Sequence, residues 1–325
     1  MKYTLENLNT IREHYLEKNQ RKRDESMIRT NELHERFPEI REIDLALSQF
    51  GISLLDLSRK YKGDELKSKL DELKARNDGL KRKRNNILLS NGYHADYDKV
   101  KYDCEICSDT GYDGINMCGC MKKMLTEVNI KSSGIGSFAD EKSFGSYALA
   151  LYEDKDTVFN NKLVLDNLKA YAETFSSNSK NILLIGGTGI GKTHLSVSVG
   201  RLLIEKGFSV IFESAENIIS DFEYEKYHRG FYSQSESKTD KYFECDLLII
   251  DDLGAETVNQ FSKACIYNLL NTRINRAMPM FITTNLNPQK LNDVYEDRIT
   301  SRLFGDFSPL MLKGKDLRNK VRGKR

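Results

Sequence analysis

The chain has 325 residues, of which 30% are charged and 39% hydrophobic, and its formal net charge is +2. This length is enough for two domains and a sizeable core. No run of about 18 apolar residues is present, which argues against a membrane-spanning helix, and the N-terminus lacks the basic, then apolar, build of a signal peptide. We therefore expect a cytoplasmic protein. Because the net charge is small, contacts with nucleic acid have to come from local basic patches such as residues 81–84 and 313–325.

Residues 1–100 are predicted to form a helical N-terminal region that binds a partner. They are rich in Glu, Lys, Arg and Leu, with helices expected over residues 6–33, 43–60 and 64–89. The third of these is indicated by leucines at helical spacing, namely Leu66, Leu70, Leu73 and Leu80. Asn91-Gly92 then ends the helix.

Four of the six cysteines lie close together, in the pattern CxxC followed by CxC. The four thiols belong to Cys104, Cys107, Cys118 and Cys120. In a reducing compartment such a cluster indicates a metal site, and four thiolates suit a closed, structural Zn²⁺ site. An iron–sulfur cluster or unliganded thiols are the alternatives. The sequence therefore predicts a zinc module over residues 101–122 and a linker over residues 123–137.

From residue 138 to residue 325 the pattern alternates between strands and helices, which is typical of a parallel α/β sheet flanked by helices. Strands are predicted at residues 181–185, 208–213, 246–251, 279–284 and 307–312. Helices are predicted at residues 215–224 and 257–276, and residues 228–239 are expected to form a surface loop before the third strand.

The sequence NILLIGGTGIGKTHL at residues 181–195 contains a complete phosphate-binding loop between a strand and a helix. In such a loop the backbone N–H groups point at phosphate oxygens, and the helix N-terminus favours negative charge. Lys192 is expected to reach the β- and γ-phosphates, and Thr193 to bind Mg²⁺. The candidate nucleotide-binding residues are Gly186, Gly187, Thr188, Gly189, Ile190, Gly191, Lys192 and Thr193.

A second element follows about sixty residues later, where the apolar run LLII ends in Asp251 and Asp252. Ligands of open α/β sheets bind at the carboxyl ends of strands, so both acids are expected to face the nucleotide. Asp251 is predicted to hold Mg²⁺, and Asp252 to act as general base on the attacking water.

A third element of the site is the strand MFITT, which Asn285 follows. Its amide is expected to orient the attacking water between the γ-phosphate and Asp252. Further along, Arg318 follows the last predicted strand and can reach back to the phosphates of its own subunit.

Two arginines, Arg298 and Arg302, lie four residues apart and therefore on one face of a predicted helix. Either is a candidate arginine finger, which neutralises transition-state charge at the γ-phosphate of a neighbouring subunit. The alternative is a surface ion pair with Glu296 or Asp297.

The order GGTGIGKTHL, LLIIDDLG, FITTN, DRITSRL and KGKDLR over residues 140–325 resembles the AAA+ ATPases of the DnaC/DnaI type, the bacterial replicative helicase loaders. The resemblance implies that residues 186–193 are the Walker A loop, Asp251 and Asp252 the Walker B pair, and Asn285 sensor 1. It also implies that Arg302 is the arginine finger and Arg318 sensor 2.

The same resemblance implies that residues 138–147 lie near the base, and that the ATPase domain at 138–325 lacks a full helical lid. CEICSDTGY and CGC are similar to the zinc-binding N-terminal domain of DnaI-type loaders.

The function implied is an ATP-dependent loader of the replicative DNA helicase, an ATPase with ATP, Mg²⁺ and Zn²⁺ as cofactors. The implied partners are that helicase, single-stranded DNA and further copies of the chain in the ATP state. The nearest alternative is a transposition helper of the IstB kind, which shares the ATPase domain. A small-molecule P-loop kinase and a zinc adaptor that no longer hydrolyses ATP are more distant alternatives.

Overall fold

The computed structural model describes residues 5–136, 138–228 and 237–318, and the chain divides into two units. We call residues 12–121 the helical unit, and residues 1–11 together with 122–325 the sheet unit. The predicted boundaries differ from this division, since the first helix crosses from one unit to the other. Among the helices of the described ranges, none combines the length and the apolar character that crossing a bilayer requires.

The helical unit takes its structure from four helices and a short hairpin. The helices are α1 (Leu5–Arg36), α2 (Pro38–Ser48), α3 (Phe50–Lys60) and α4 (Gly63–Ser90), and the hairpin pairs β1 (Tyr112–Asp113) with β2 (Asn116–Met117). Its small apolar core contains Leu33, Ile40 and Leu88, all fully buried. Beside this core, Arg84 donates to Asp44 at 2.6 Å and to Asp98 at 2.5 Å, which ties α4 to α2 and to the chain after α4.

The segment predicted as a linker is mostly helical. Helix α5 (Gly119–Ser132) covers most of residues 123–137, because apolar side chains such as that of Leu125 are buried along it. After the helix, the carbonyl of Ser133 accepts a hydrogen bond from the amide of Phe212 at 2.6 Å. The end of this segment therefore pairs with the sheet unit.

The sheet unit is built on five parallel strands in the order β4-β5-β6-β3-β7. The strands are β3 (Asn181–Ile185), β4 (Val210–Ser214), β5 (Leu247–Leu253), β6 (Met280–Thr284) and β7 (Phe307–Met311). All five predicted strands are confirmed within two residues at each end. Continuous apolar runs such as LLII in β5 are buried because helices cover both faces of a parallel sheet.

Helices pack on both faces of this sheet and form two apolar clusters. After α5, the helices of the unit are α6 (Phe138–Glu141), α7 (Lys155–Glu173), α8 (Lys192–Glu205), α9 (Ala215–His228), α10 (Lys241–Glu244), α11 (Gln260–Asn275), α12 (Pro288–Val294) and α13 (Asp297–Gly305), with a 3-10 turn at Leu149–Leu151. Residues 229–236 of the predicted surface loop and residues 319–325 of the basic tail lie outside the described residues.

Candidate nucleotide-binding site and cysteine cluster

The phosphate-binding loop lies between β3 and α8, where the sequence predicted it. Gly191 has φ = 93°, and a Cβ there would lie 2.8 Å from the Tyr147 ring, so glycine is required on both grounds. Helix α8 begins at the next residue, Lys192, so the N–H groups of its first turn lack helical partners and favour an anion.

The Lys192 ammonium lies over this loop. Its Nζ donates to the Gly187 carbonyl at 2.9 Å and is 3.9 Å from an Asp252 carboxylate oxygen. The side chain is 5% exposed, and this burial lowers its pKa. Among the described residues, the Lys192 cation therefore contacts only a neutral carbonyl and a carboxylate at long distance. It lies beside the first-turn N–H groups of α8, which have no hydrogen-bond partner within the helix.

Asp251 lies at the carboxyl end of β5 and is held by two hydroxyl groups. Thr193 Oγ1 donates to one carboxylate oxygen at 2.9 Å, and Thr283 Oγ1 donates to the other at 2.7 Å. Burial raises the pKa of Asp251. A carboxylate and a hydroxyl oxygen side by side form a donor set that suits Mg²⁺.

Thr283 connects the two acids. Besides donating to Asp251, its hydroxyl oxygen accepts a hydrogen bond from the backbone N–H of Asp252 at 2.9 Å. Asp252 has φ = 53°, and its side chain is 46% exposed, in contrast to the buried Asp251. Sequence reasoning grouped Thr283 with the polar end of β6 but did not assign it this position.

Thr283→Val is expected to lower the free energy of unfolding by about 1–3 kcal/mol, the usual cost of leaving buried polar groups unpaired. The valine keeps the shape but removes both the donor to Asp251 and the acceptor for the Asp252 amide. Urea unfolding measures the change. Thr300→Val is the matched control, because that buried hydroxyl makes a long 3.4 Å bond within its own helix. Equal stabilities of the two variants would contradict the bridging role.

A cleft of about 780 Å³ opens beside the phosphate-binding loop. Of the predicted site residues, those that line it are Thr188, Gly189, Gly191, Lys192, Thr193, Asp252, Asn285 and Arg318. The strand order explains this grouping, because β5, β6 and β3 are neighbours and their carboxyl ends share one edge of the sheet.

The remaining predicted loop residues, Gly186, Gly187 and Ile190, do not line the cleft. The Gly186 amide donates to the Thr284 carbonyl at 3.1 Å, which anchors the start of the loop to β6. The Ile190 side chain is 1% exposed and packs in the core, while its carbonyl accepts a hydrogen bond from the Tyr152 hydroxyl at 2.7 Å. This second contact was not foreseen, because Tyr152 is 38 residues from its partner.

The segment before α7 also borders the cleft. Glu141, Lys142, Ser146 and Tyr147 line it, in the stretch where the resemblance implied the base. His194 holds this stretch against α8, since its Nε2 lies 2.8 Å from the Ser143 carbonyl. Burial lowers the pKa of His194, which favours the neutral ring as donor to that carbonyl.

The chain after β7 returns to the phosphate-binding loop. The Asn161 side chain pairs with the backbone of Lys313 through two hydrogen bonds of 2.8 and 3.0 Å. Further on, the Leu317 amide donates to the Gly189 carbonyl at 3.1 Å. These contacts bring Arg318 to the cleft, although the sequence places it 125 residues beyond Thr193.

The two candidate finger arginines are on α13, and neither is among the described residues that line the cleft of their own chain. Arg302 donates to Asn271 at 2.9 Å and pairs with Asp306 at 3.4 Å. Arg298 pairs with Glu296 at 3.0 Å and lies over the Tyr267 ring. Both guanidinium groups are partly exposed, so each is open to a second molecule.

The four clustered cysteines converge in the helical unit. Their sulfur atoms, from Cys104, Cys107, Cys118 and Cys120, all lie within 4.8 Å of one another. Two pairs are 3.8 Å and 3.5 Å apart. A tetrahedral site with Zn–S bonds of about 2.3 Å places its sulfurs about 3.8 Å apart, so the spacing fits one zinc ion.

Asp109 organises the loop between the two cysteine pairs. It is fully buried, and it accepts hydrogen bonds from the backbone amides of Asp103 and Cys104 and from Lys18 Nζ, at 2.8 to 3.1 Å. Tyr15 of α1 packs on the same loop, where a Cβ on Gly111 would lie 3.2 Å from its ring. Helix α1 therefore forms one wall of the cysteine cluster, which the sequence did not reveal.

The parallel sheet, the phosphate-binding loop and the paired acids define the class of this protein, which is a P-loop ATP-binding protein of AAA+ type. The sequence profile of the IstB-like ATP binding protein family matches residues 146–321, more than half of the chain. The chain belongs to this family, and the resemblance to DnaC-type ATPases is confirmed.

Two similar proteins are named replicative helicase loader DnaC. The protein from Buchnera aphidicola subsp. Schizaphis graminum is 26% identical over 166 residues, and that from Escherichia coli is 25% identical over 161 residues. Each alignment covers 49% of this chain and 65% of the relative, just under two thirds of its length. A crystal structure of the DnaC helicase loader aligns with 55% of this chain and 100% of its own, at 18% identity and a TM-score of 0.47.

Proposed function

We propose that this protein is an ATP-dependent loader of a replicative DNA helicase, which uses ATP binding and hydrolysis as a switch for assembly and release on single-stranded DNA. The observation that carries the proposal is that Lys192, Thr193 and Asp252 line one cleft of an IstB-like ATP-binding domain, where Thr193 also donates a hydrogen bond to the buried Asp251. The kinship with proteins named DnaC points to the loading of a helicase as the use of that cleft.

The positions of the side chains support the following proposed roles within the site. Lys192 and the N-terminus of α8 bind the β- and γ-phosphates, and Thr193 and Asp251 hold Mg²⁺, which supplies charge neutralisation at those phosphates. Asp252 is partly exposed, so it is free to accept a proton from the attacking water. Asn285 orients that water, and Arg318 contacts the phosphates of its own subunit.

The helical unit is proposed as the part that binds the helicase. Helix α3 carries Ile52 and Leu55, which are three residues apart on one helix face and about two-thirds exposed. Apolar side chains of this size, exposed together, are a feature of protein-binding surfaces.

The test of this function is co-purification of the tagged full chain with the replicative helicase of the same genome, with and without ATP. We expect the helicase to be captured, and the double variant Ile52→Asp, Leu55→Asp to lose capture while it still binds ATP. A matched control replaces Ser53 and Asp56, on the same helix, with alanine. If the helicase is not captured by the unaltered chain under either condition, the loader proposal is wrong.

The co-purification and two activity assays separate the alternatives. Capture of a transposase in place of the helicase would indicate a transposition helper of the IstB kind. Transfer of phosphate from ATP to a small molecule, in the absence of DNA and partner protein, would indicate a kinase. Absence of ATP hydrolysis in the helicase-bound state would leave the zinc adaptor as the remaining function.

We further propose that the four cysteines hold a structural zinc ion. Cys107→Ser is expected to abolish zinc binding and to unfold the loop around the cluster. Structural zinc contributes about 10–16 kcal/mol of apparent binding free energy in small zinc-finger peptides, more than so small a segment can supply by packing. Metal analysis of the purified chain and thermal unfolding measure both effects. Cys265→Ser is the control, since that thiol is buried elsewhere; equal zinc content in both variants would refute the site.

A further inference from the structure

A buried carboxylate outside the nucleotide site joins two parts of the sheet unit. Glu256 is 7% exposed and lies just after β5. One of its oxygens accepts a hydrogen bond from the Gly254 amide at 2.7 Å, and the other accepts one from the Tyr295 hydroxyl. Tyr295 is 1% exposed. Neither residue lines the cleft among the described part of the chain, so their role is not contact with nucleotide.

The first end of this link is the turn that carries Asp252. After Asp252, the chain turns back through a 3.1 Å hydrogen bond from the Ala255 amide to the Asp252 carbonyl. Gly254 has φ = 95°, and a Cβ there would lie 2.4 Å from Leu286, so the turn is packed tightly against the end of β6. Movement of Asp252 therefore has to move the Gly254 amide that Glu256 holds.

The second end is the joint between α12 and α13. Tyr295 is the C-cap of α12, with its amide donating to the Leu291 carbonyl at 2.8 Å. The next residue, Glu296, is the N-cap of α13, and its carbonyl accepts from the Ile299 amide at 2.8 Å. The hydroxyl bound by Glu256 thus belongs to the residue immediately before the N-cap of α13.

We propose that Glu256 is a positioning residue, which couples the Asp252 turn to α13 through Tyr295 and so sets how Arg302 is presented to the neighbouring subunit. This inference rests on the proposed function, in which Arg302 acts on the site of a neighbour. The contact with Tyr295 acts on the subunit that donates the arginine, whereas in the subunit that hydrolyses ATP the Asp252 amide is held independently by Thr283.

The proposal is tested in mixed assemblies of the full-length chain. Lys192→Ala subunits keep Arg302 but cannot bind ATP, and Arg302→Ala subunits bind ATP but lack the finger. Each alone should be inactive, and the mixture should regain hydrolysis at the shared interface. This mixture is the reference.

Glu256→Gln is then added to one partner at a time. Placed in the Lys192→Ala donor, it should reduce the regained rate by about tenfold or more, because a displacement of about 1 Å can cost on the order of 100-fold. Placed in the Arg302→Ala acceptor, it should lower the rate much less, because the glutamine oxygen can still accept from the Gly254 amide and Thr283 still holds the Asp252 amide. A loss of packing alone would lower both rates to the same extent, so the asymmetry separates positioning from general destabilisation.

Tyr295→Phe removes the other half of the contact and should reproduce the same asymmetry. Tyr171→Phe is the matched control, since its buried hydroxyl has no hydrogen-bond partner among the described residues. Urea unfolding identifies any variant that is poorly folded. If Glu256→Gln is poorly folded, the result with Tyr295→Phe decides the question. Equal rates in all the mixtures would overturn the inference alone. Failure of the reference mixture would overturn the proposed neighbour-acting arginine, and the inference with it.

Discussion

Lys192→Ala is expected to abolish measurable ATP binding at micromolar nucleotide. The ammonium is held over the phosphate-binding loop by the Gly187 carbonyl at 2.9 Å, and it is nearly buried. Removing one partner of a buried charge pair costs about 2–5 kcal/mol, or roughly 30-fold to several thousand-fold in Kd. Calorimetry with ATP and Mg²⁺ measures the loss.

The matched control for this prediction is Lys180→Ala. Lys180 is exposed and immediately precedes β3, at the end of the strand opposite the phosphate-binding loop. The Lys180→Ala variant should bind ATP as tightly as the unaltered chain does. ATP should raise the melting temperature of the control but not of Lys192→Ala, because a ligand stabilises the folded state that it binds. Equal binding by the two variants would contradict the placement of the phosphates.

Arg302→Ala is expected to keep ATP binding and to lose the hydrolysis that depends on assembly. In its own chain the guanidinium contacts Asn271 and Asp306, away from the cleft. Arginine fingers contribute about 10³–10⁵ to the rate when a partner supplies them. Hydrolysis measured across a range of protein concentrations should therefore rise with concentration for the unaltered chain and stay at the basal rate for the variant.

Arg298→Ala is the comparison that decides between the two arginines. Arg298 pairs with Glu296 and lies 5.1 Å from the centre of the Tyr267 ring, and the resemblance to DnaC-type ATPases assigns the finger to Arg302 instead. We expect this variant to retain most of the concentration-dependent hydrolysis. If Arg298→Ala loses it and Arg302→Ala keeps it, the finger is Arg298. Normal hydrolysis by both variants would mean that no finger lies on this helix.

The nucleotide loop could be predicted from local sequence because its chemistry is local. The glycines, Lys192 and Thr193 are consecutive or nearly so, and a strand before them and a helix after them are sufficient to aim the backbone amides. The position of the acids at the end of β5 followed from a general rule of parallel sheets. The cysteine cluster was recognisable for the same reason, since its two pairs are only ten residues apart.

The extent of the helix α5 was not predicted. The Ser- and Gly-rich stretch at residues 131–137 suggested a linker, but α5 extends to Ser132, Leu125 is buried, and the Ser133 carbonyl accepts a hydrogen bond from the Phe212 amide. Sequence composition does not reveal such burial, because it depends on which surface the segment meets.

By itself, then, the sequence determined the class of fold, the phosphate-binding loop, the acids and the thiol cluster, all of which depend on residues close together in the chain. The tertiary structure alone decided that Thr283 bridges the two acids, that Arg318 reaches the cleft while Arg302 faces away from it, and that Glu256 meets Tyr295. Each of these contacts joins residues from separate strands or helices. The register and order of the strands set their distances, and side-chain patterns along one strand carry no information about either.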